Sequence, residues 1–91
     1  MELASYEAAV LSPHAAREIA RRGLPAAEVR KAIVNPAQTV PVRTGRIALH
    51  HRYVEGGREY LLRIFVDIDR DPPVIVTLYR TSKIEKYWGA P

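Results

Sequence analysis

The chain has no cysteine, and only one methionine, one tryptophan and one phenylalanine among 91 residues. Without cysteine there is no disulfide, no thiolate metal site and no thiol nucleophile. No run is long or apolar enough to cross a bilayer, so a membrane partner is not expected. Residues 1–5 carry neither the basic region nor the apolar run of a signal peptide, and a cytoplasmic location is the expectation. Internal repeats and low-complexity segments are also missing. The remainder is ordinary globular composition, 47% hydrophobic and 26% charged. One domain over residues 1–91 follows, with residues 1–11 reading either as a loose arm or as a short strand.

Acidic residues are the minority, 10 against 14 Lys plus Arg, for a formal net charge of +4. Most of the cations are arginine, whose planar fork matches phosphate oxygens and stacks on bases. The excess permits a polyanionic partner without requiring one.

Ser12-Pro13 predicts a helix start, with Ser as N-cap and Pro in the first turn, and Gly23 predicts its end after Arg22. A second helix is expected from about Pro25, with Leu24 as a poor N-cap, and must stop before Asn35-Pro36. The second half reads as strands at residues 39–42, 47–54, 60–67 and 74–81, joined by short turns that favour antiparallel hairpins.

Strand parity separates two faces. Tyr60, Leu62, Ile64 and Val66 share one; Val74, Val76 and Leu78 share another with Arg80; Ile47, Leu49, His51 and Tyr53 form the third apolar set. These sets are expected under the two helices. Ile75, Thr77, Tyr79 and Thr81 oppose the Val74 set, and an open face then carries His50, Arg52, Arg63, Thr77, Tyr79 and Thr81. Cations, hydroxyls, an imidazole and an aromatic ring on one surface suit a gripped phosphodiester and a stacked base. They equally suit a solvated sheet face.

Ser12-Pro13-His14-Ala15-Ala16-Arg17, then Arg22-Gly23-Leu24 and Glu28-Val29, resembles the opening of a small bacterial family called domain of unknown function 4258. Val76-Thr77-Leu78-Tyr79-Arg80-Thr81, with Lys83 and Lys86-Tyr87-Trp88, resembles its close. That family is similar to the RelE, ParE and BrnT toxins and to the wider barnase, colicin and RelE nuclease group. The resemblance implies an α+β fold with two N-terminal helices packed on one face of a three- to four-stranded antiparallel sheet. It also implies a metal-independent endoribonuclease toxin of a type II toxin–antitoxin system, acting on RNA without a cofactor. A cognate antitoxin is the implied partner, and the ribosome is a further candidate. His14, Arg63, Thr77, Tyr79 and Lys83 are the candidates carried over.

Such cleavage uses the substrate's 2′-hydroxyl as nucleophile and needs a base, an acid and cations for the crowded phosphate. His14 or His50 is assigned to proton transfer, Arg52 and Arg63 to the phosphate, and Tyr79 with Lys83 to support. Arg17, Thr77, Thr81 and Lys86 are the further expected RNA contacts. His14 can instead be a surface histidine or an anchor for the helix start. His50-His51 is no metal pair, because neighbours on a strand point to opposite faces. Asp67, Asp69 and Asp71 have calcium-loop spacing, but Pro72 and Leu78 replace the required glycine and glutamate. Tyr87-Trp88 can stack bases or cap the core. A non-catalytic nucleic-acid- or protein-binding module on the same scaffold is the alternative.

Overall fold

The computed structural model describes residues 6–89. The order is β1 (Val10–Leu11), α1 (Pro13–Arg22), α2 (Ala26–Val34), β2 (Gln38–Arg43), β3 (Arg46–Glu55), β4 (Arg58–Asp67), β5 (Val74–Thr81) and α3 (Ile84–Tyr87). Residues 1–5 of the expected arm lie outside the described residues. Among those described, no helix is long and apolar enough to cross a membrane.

α1 is set by its ends. The Ser12 hydroxyl accepts from the Ala15 amide at 3.0 Å, and Gly23 closes the helix at φ 62°. The same hydroxyl donates to the Val76 carbonyl at 3.1 Å, which ties the helix start to β5. Ser12→Ala is therefore expected to cost about 1–2 kcal/mol, read as a lower urea midpoint. At α2 the expected cap is corrected: Pro25, not Leu24, holds the cap position, and no side chain caps the helix. Leu24 is instead buried in the core. An apolar side chain gains more there than it can offer to free amides.

The fold is α+β, with a five-stranded sheet in the order β1-β5-β4-β3-β2. Four strands are antiparallel, as the hairpin turns predict. The sheet is nonetheless mixed, because β1 lies parallel to β5. Two residues are too few to show a period, so the sequence could not reveal that pairing. β3 and β4 meet at Gly56-Gly57, both at positive φ (61° and 77°), the requirement of a two-residue hairpin turn.

α1 and α2 cover one face of the sheet. Ala15, Leu24, Val29 and Ala32 pack there against Leu49, Tyr53, Leu62, Ile64, Val66, Ile75 and Leu78. Ile75 corrects the parity reading, which set it on the face opposite Val74, Val76 and Leu78. Phe65 pairs with Thr77 but Val66 pairs with Ile75, so Val76 is an extra residue on β5. Such a bulge flips the side chains on one side of it. Arg80 ends the helix-side face, its guanidinium 4.1 Å over the Tyr60 ring and paired with Glu55.

The opposite face is not open. Ala48 and Leu61 point to it by parity yet are fully buried, and Ile84 of α3 is buried as well. The segment after β5 folds back over this face, which has its own small apolar layer.

Candidate nucleic-acid interface

Register across β3, β4 and β5 puts His50, Arg63 and Tyr79 side by side. Gln38 stands beyond His50 on β2. The neighbouring rows are Ala48, Phe65 and Thr77 on one side and Arg52, Leu61 and Thr81 on the other. All lie on the face turned away from α1 and α2.

The central row is hydrogen-bonded end to end. His50 Nδ1 is 3.1 Å from Gln38 Oε1, and Arg63 Nε donates to His50 Nε2 at 3.0 Å. Arg63 Nη1 donates to the Tyr79 hydroxyl at 2.6 Å. Gln38 Nε2 donates to the Gly89 carbonyl at 3.1 Å. His50 is 0% exposed. Burial, and then the Arg63 charge, pushes its imidazole down from 6.5 to about 4, so it is neutral at physiological pH.

That shift has a stability consequence. Between 6.5 and about 4 the folded state binds fewer protons at His50 than the unfolded chain does. The contribution is complete above that interval and is lost as pH falls through it, at up to about 1.4 kcal/mol per pH unit. The carboxylates of Glu18, Glu28, Glu59 and Asp67 are all held below their ordinary range, so their losses come lower still. Urea midpoints at about pH 7 and about pH 5 check this, and equal midpoints would contradict a buried neutral His50.

Arg63 differs from its neighbours in charge compensation. Arg46 lies on Asp67, Arg52 on Glu59 and Arg80 on Glu55. Among the described residues no carboxylate pairs with Arg63, whose two hydrogen-bond partners are neutral. Its guanidinium carbon is 5.0 Å from the Phe65 ring centroid, 5.7 Å from Tyr79 and 4.2 Å from Tyr87. The Tyr79 phenol is raised, chiefly by burial, and Tyr87 is lowered, chiefly by a hydrogen bond from Tyr79. Trp88 stacks on His50 at 6.3 Å between centroids, with the Arg52 guanidinium 4.9 Å from its ring. The face thus holds a cation without a counter-charge inside a ring of aromatic side chains. An anion bearing a flat group fits that chemistry.

The expected site residues divide accordingly. His50, Arg63 and Tyr79 are in direct contact, and Thr77 is in the next row. Arg52 lies in the next row with its guanidinium against Trp88, and its Nε and Nη2 donors are engaged by Glu59, at 3.0 and 2.9 Å. Lys83 is exposed at the start of α3, where its backbone amide donates to Thr81 Oγ1 at 3.0 Å. Lys86 sits over the outer side of the Tyr87 ring. His14 and Arg17 are exposed on α1, in the helical layer across the sheet from Arg63. Residues absent from the expected site are Gln38, Phe65, Tyr87 and Trp88. Gln38 fell one residue before the predicted start of its strand, and parity alone would have found Phe65.

A cavity of about 570 Å³ lies elsewhere, lined by Ala27, Arg30, Lys31, Val34, Asn35 and His51. His51 Nε2 there is 2.8 Å from Glu28 Oε1. Among the described residues no three His, Cys, Asp or Glu side chains are grouped to hold a metal ion.

The family model described as Domain of unknown function (DUF4258) matches residues 11–80. The chain belongs to that family. No curated protein and no solved structure matches it. The DUF4258 span contains Gln38, His50, Arg63 and Tyr79 and ends before α3 and Trp88. The part of the chain that builds the row is therefore family sequence, and the segment that covers it follows the match.

Proposed function

We propose that the chain is a toxin of a type II toxin–antitoxin system that cleaves RNA without a metal ion, as the RelE- and BrnT-like resemblance implies. The observation that supports this reading is Arg63, an arginine that no carboxylate among the described residues pairs with, held between neutral partners and surrounded by rings. In the proposed reaction the P–O2′ bond forms and the P–O5′ bond breaks. The 2′-hydroxyl proton must leave and O5′ must gain one. Arg63 neutralises the charge that builds on the phosphate. The Tyr79 and Tyr87 rings meet edge to face beside it, 6.4 Å between centroids, and in this reading their hydroxyls carry the protons. His50 is not given that role, because its Nε2 lone pair is already held by Arg63. His14 is not given it either, because it lies in the other layer.

End-labelled RNA incubated in chelator with wild type, Arg63→Ala and His14→Ala tests the reading. Wild type and His14→Ala are expected to leave 2′,3′-cyclic phosphate ends, and Arg63→Ala is not. Cleavage by Arg63→Ala at the wild-type rate would sink the proposal. The second test is growth arrest on expression, relieved by the product of a neighbouring gene.

The full burial of His50 and the cover of Tyr87 and Trp88 favour a second reading, a non-catalytic nucleic-acid-binding module. Intact RNA that binds in a salt-sensitive way would select it.

A further inference from the structure

We propose that Gln38 and His50 are positioning residues that hold the Arg63 guanidinium in one orientation, with its unspent edge presented to a phosphodiester. The inference rests on the reading of Arg63 as the anion-binding group, and deepens it.

A guanidinium only donates, so Arg63 Nε requires an acceptor at 3.0 Å, and His50 Nε2 must be without a proton. The neutral imidazole then carries its proton on Nδ1, which donates to Gln38 Oε1 at 3.1 Å. The Gln38 amide is itself oriented, because its Nε2 donates to the Gly89 carbonyl at 3.1 Å. With the amide turned the other way, Nδ1–H would face an N–H and the tautomer would lose its partner. The direction of every hydrogen bond in the row therefore follows from one fixed fact, the donor-only character of arginine.

The row leaves Arg63 little freedom. Nε is held from one side by His50 and Nη1 from the other by Tyr79, at 2.6 Å. One face of the guanidinium is covered by the Tyr87 ring at 4.2 Å. Two of its five N–H donors are spent among the described residues, and the three unspent ones are one on Nη1 and two on Nη2, so the edge between these nitrogens still has donors to offer. A phosphodiester takes two parallel N–H donors from such an edge. His50 is 0% exposed, so a leucine in its place fills the site and leaves the Arg63 Nε–H without its acceptor. A free arginine side chain loses rotamer entropy when it binds an anion, whereas this one is already ordered. His50 thus acts through Arg63 and touches no reacting atom.

Two measurements on the full chain test this. The first is the nitrogen spectrum of the imidazoles, which separates the two neutral tautomers, together with the exchange of the Arg63 Nε–H. The expected pattern is Nδ1 protonated and Nε2 bare at His50, with a slowly exchanging Arg63 Nε–H. His50→Leu should return that Nε–H to fast exchange. The second is the affinity for a fluorescein-labelled single-stranded oligoribonucleotide. His50→Leu and Gln38→Leu are each expected to bind about tenfold more weakly. His50→Gln, which restores an acceptor toward Arg63 Nε–H, should recover most of the His50→Leu loss. Circular dichroism checks that each variant is folded, and a simple folding defect would not be rescued in this pattern. An Nε2-protonated His50, a fast-exchanging Arg63 Nε–H in wild type, or wild-type affinity in His50→Leu would each overturn the proposal. If the wild type binds no RNA, the functional reading fails, and the spectra still decide the positioning claim.

Discussion

Arg63→Ala is expected to lower RNA cleavage by about 10²- to 10³-fold, the loss seen when one preorganised electrostatic donor is taken from a transition state. Binding of intact RNA should fall as well, because among the described residues no carboxylate shares the charge of this cation. Arg63→Lys should recover little of the activity. An ammonium is a point charge and cannot bridge His50 and Tyr79 while offering a flat edge to phosphate. The alanine variant also leaves His50 Nε2 buried without a donor, at a cost of about 1–3 kcal/mol in stability. Cleavage and urea unfolding measured on the same sample separate the two effects. A variant that is folded, less stable and inactive is the expected result. A folded variant with full activity would remove Arg63 from the chemistry.

Leu62→Ala carries the largest expected effect on the fold itself. Leu62 is 0% exposed in the middle of β4 and packs in the cluster under α1 and α2. Its truncation leaves a cavity beneath the helices and is expected to cost about 2–5 kcal/mol. A domain of this length has roughly 5–15 kcal/mol in all. The variant should unfold at a much lower urea concentration, with an unchanged slope of the transition. Leu61→Ala makes the informative comparison. Leu61 is equally buried but faces the other way, on the row beside Thr81 and below the segment that carries Trp88. Its loss should weaken the cover of that face, seen as a red shift of the Trp88 fluorescence, whereas Leu62→Ala should leave the folded-state spectrum unchanged.

The parts of the fold that the sequence reveals are those with local causes. Ser12-Pro13 and Gly23 place α1 to the residue. Gly56-Gly57 places the β3–β4 hairpin, and through it the pairing of His50 with Arg63. What stays hidden depends on distant partners. β1 exists only because β5 offers it an edge, and the extra residue at Val76 moves Ile75 to the core without any sign in the pattern of alternation. α3 has four residues, too few for a helical period. At the site, His50, Arg63 and Tyr79 were legible from parity. Whether each is charged or engaged was not. Arg52 reads as a free cation until the hairpin brings Glu59 against it, and His50 reads as a titrating imidazole until burial drives it neutral.

The sheet has two outer edges, and they are unlike. β1 offers only two residues at one. At the other, β2 includes Pro41, with a shift of register between Pro41 and Arg43, and Arg43 follows at its end. Proline takes one amide donor out of that strand, and the shift bends what remains. A second chain laid alongside would find an interrupted ladder on either border. The domain is thereby guarded against edge-to-edge aggregation. By the same token, a protein that docks on this domain finds no uninterrupted strand to extend and must contact side chains instead.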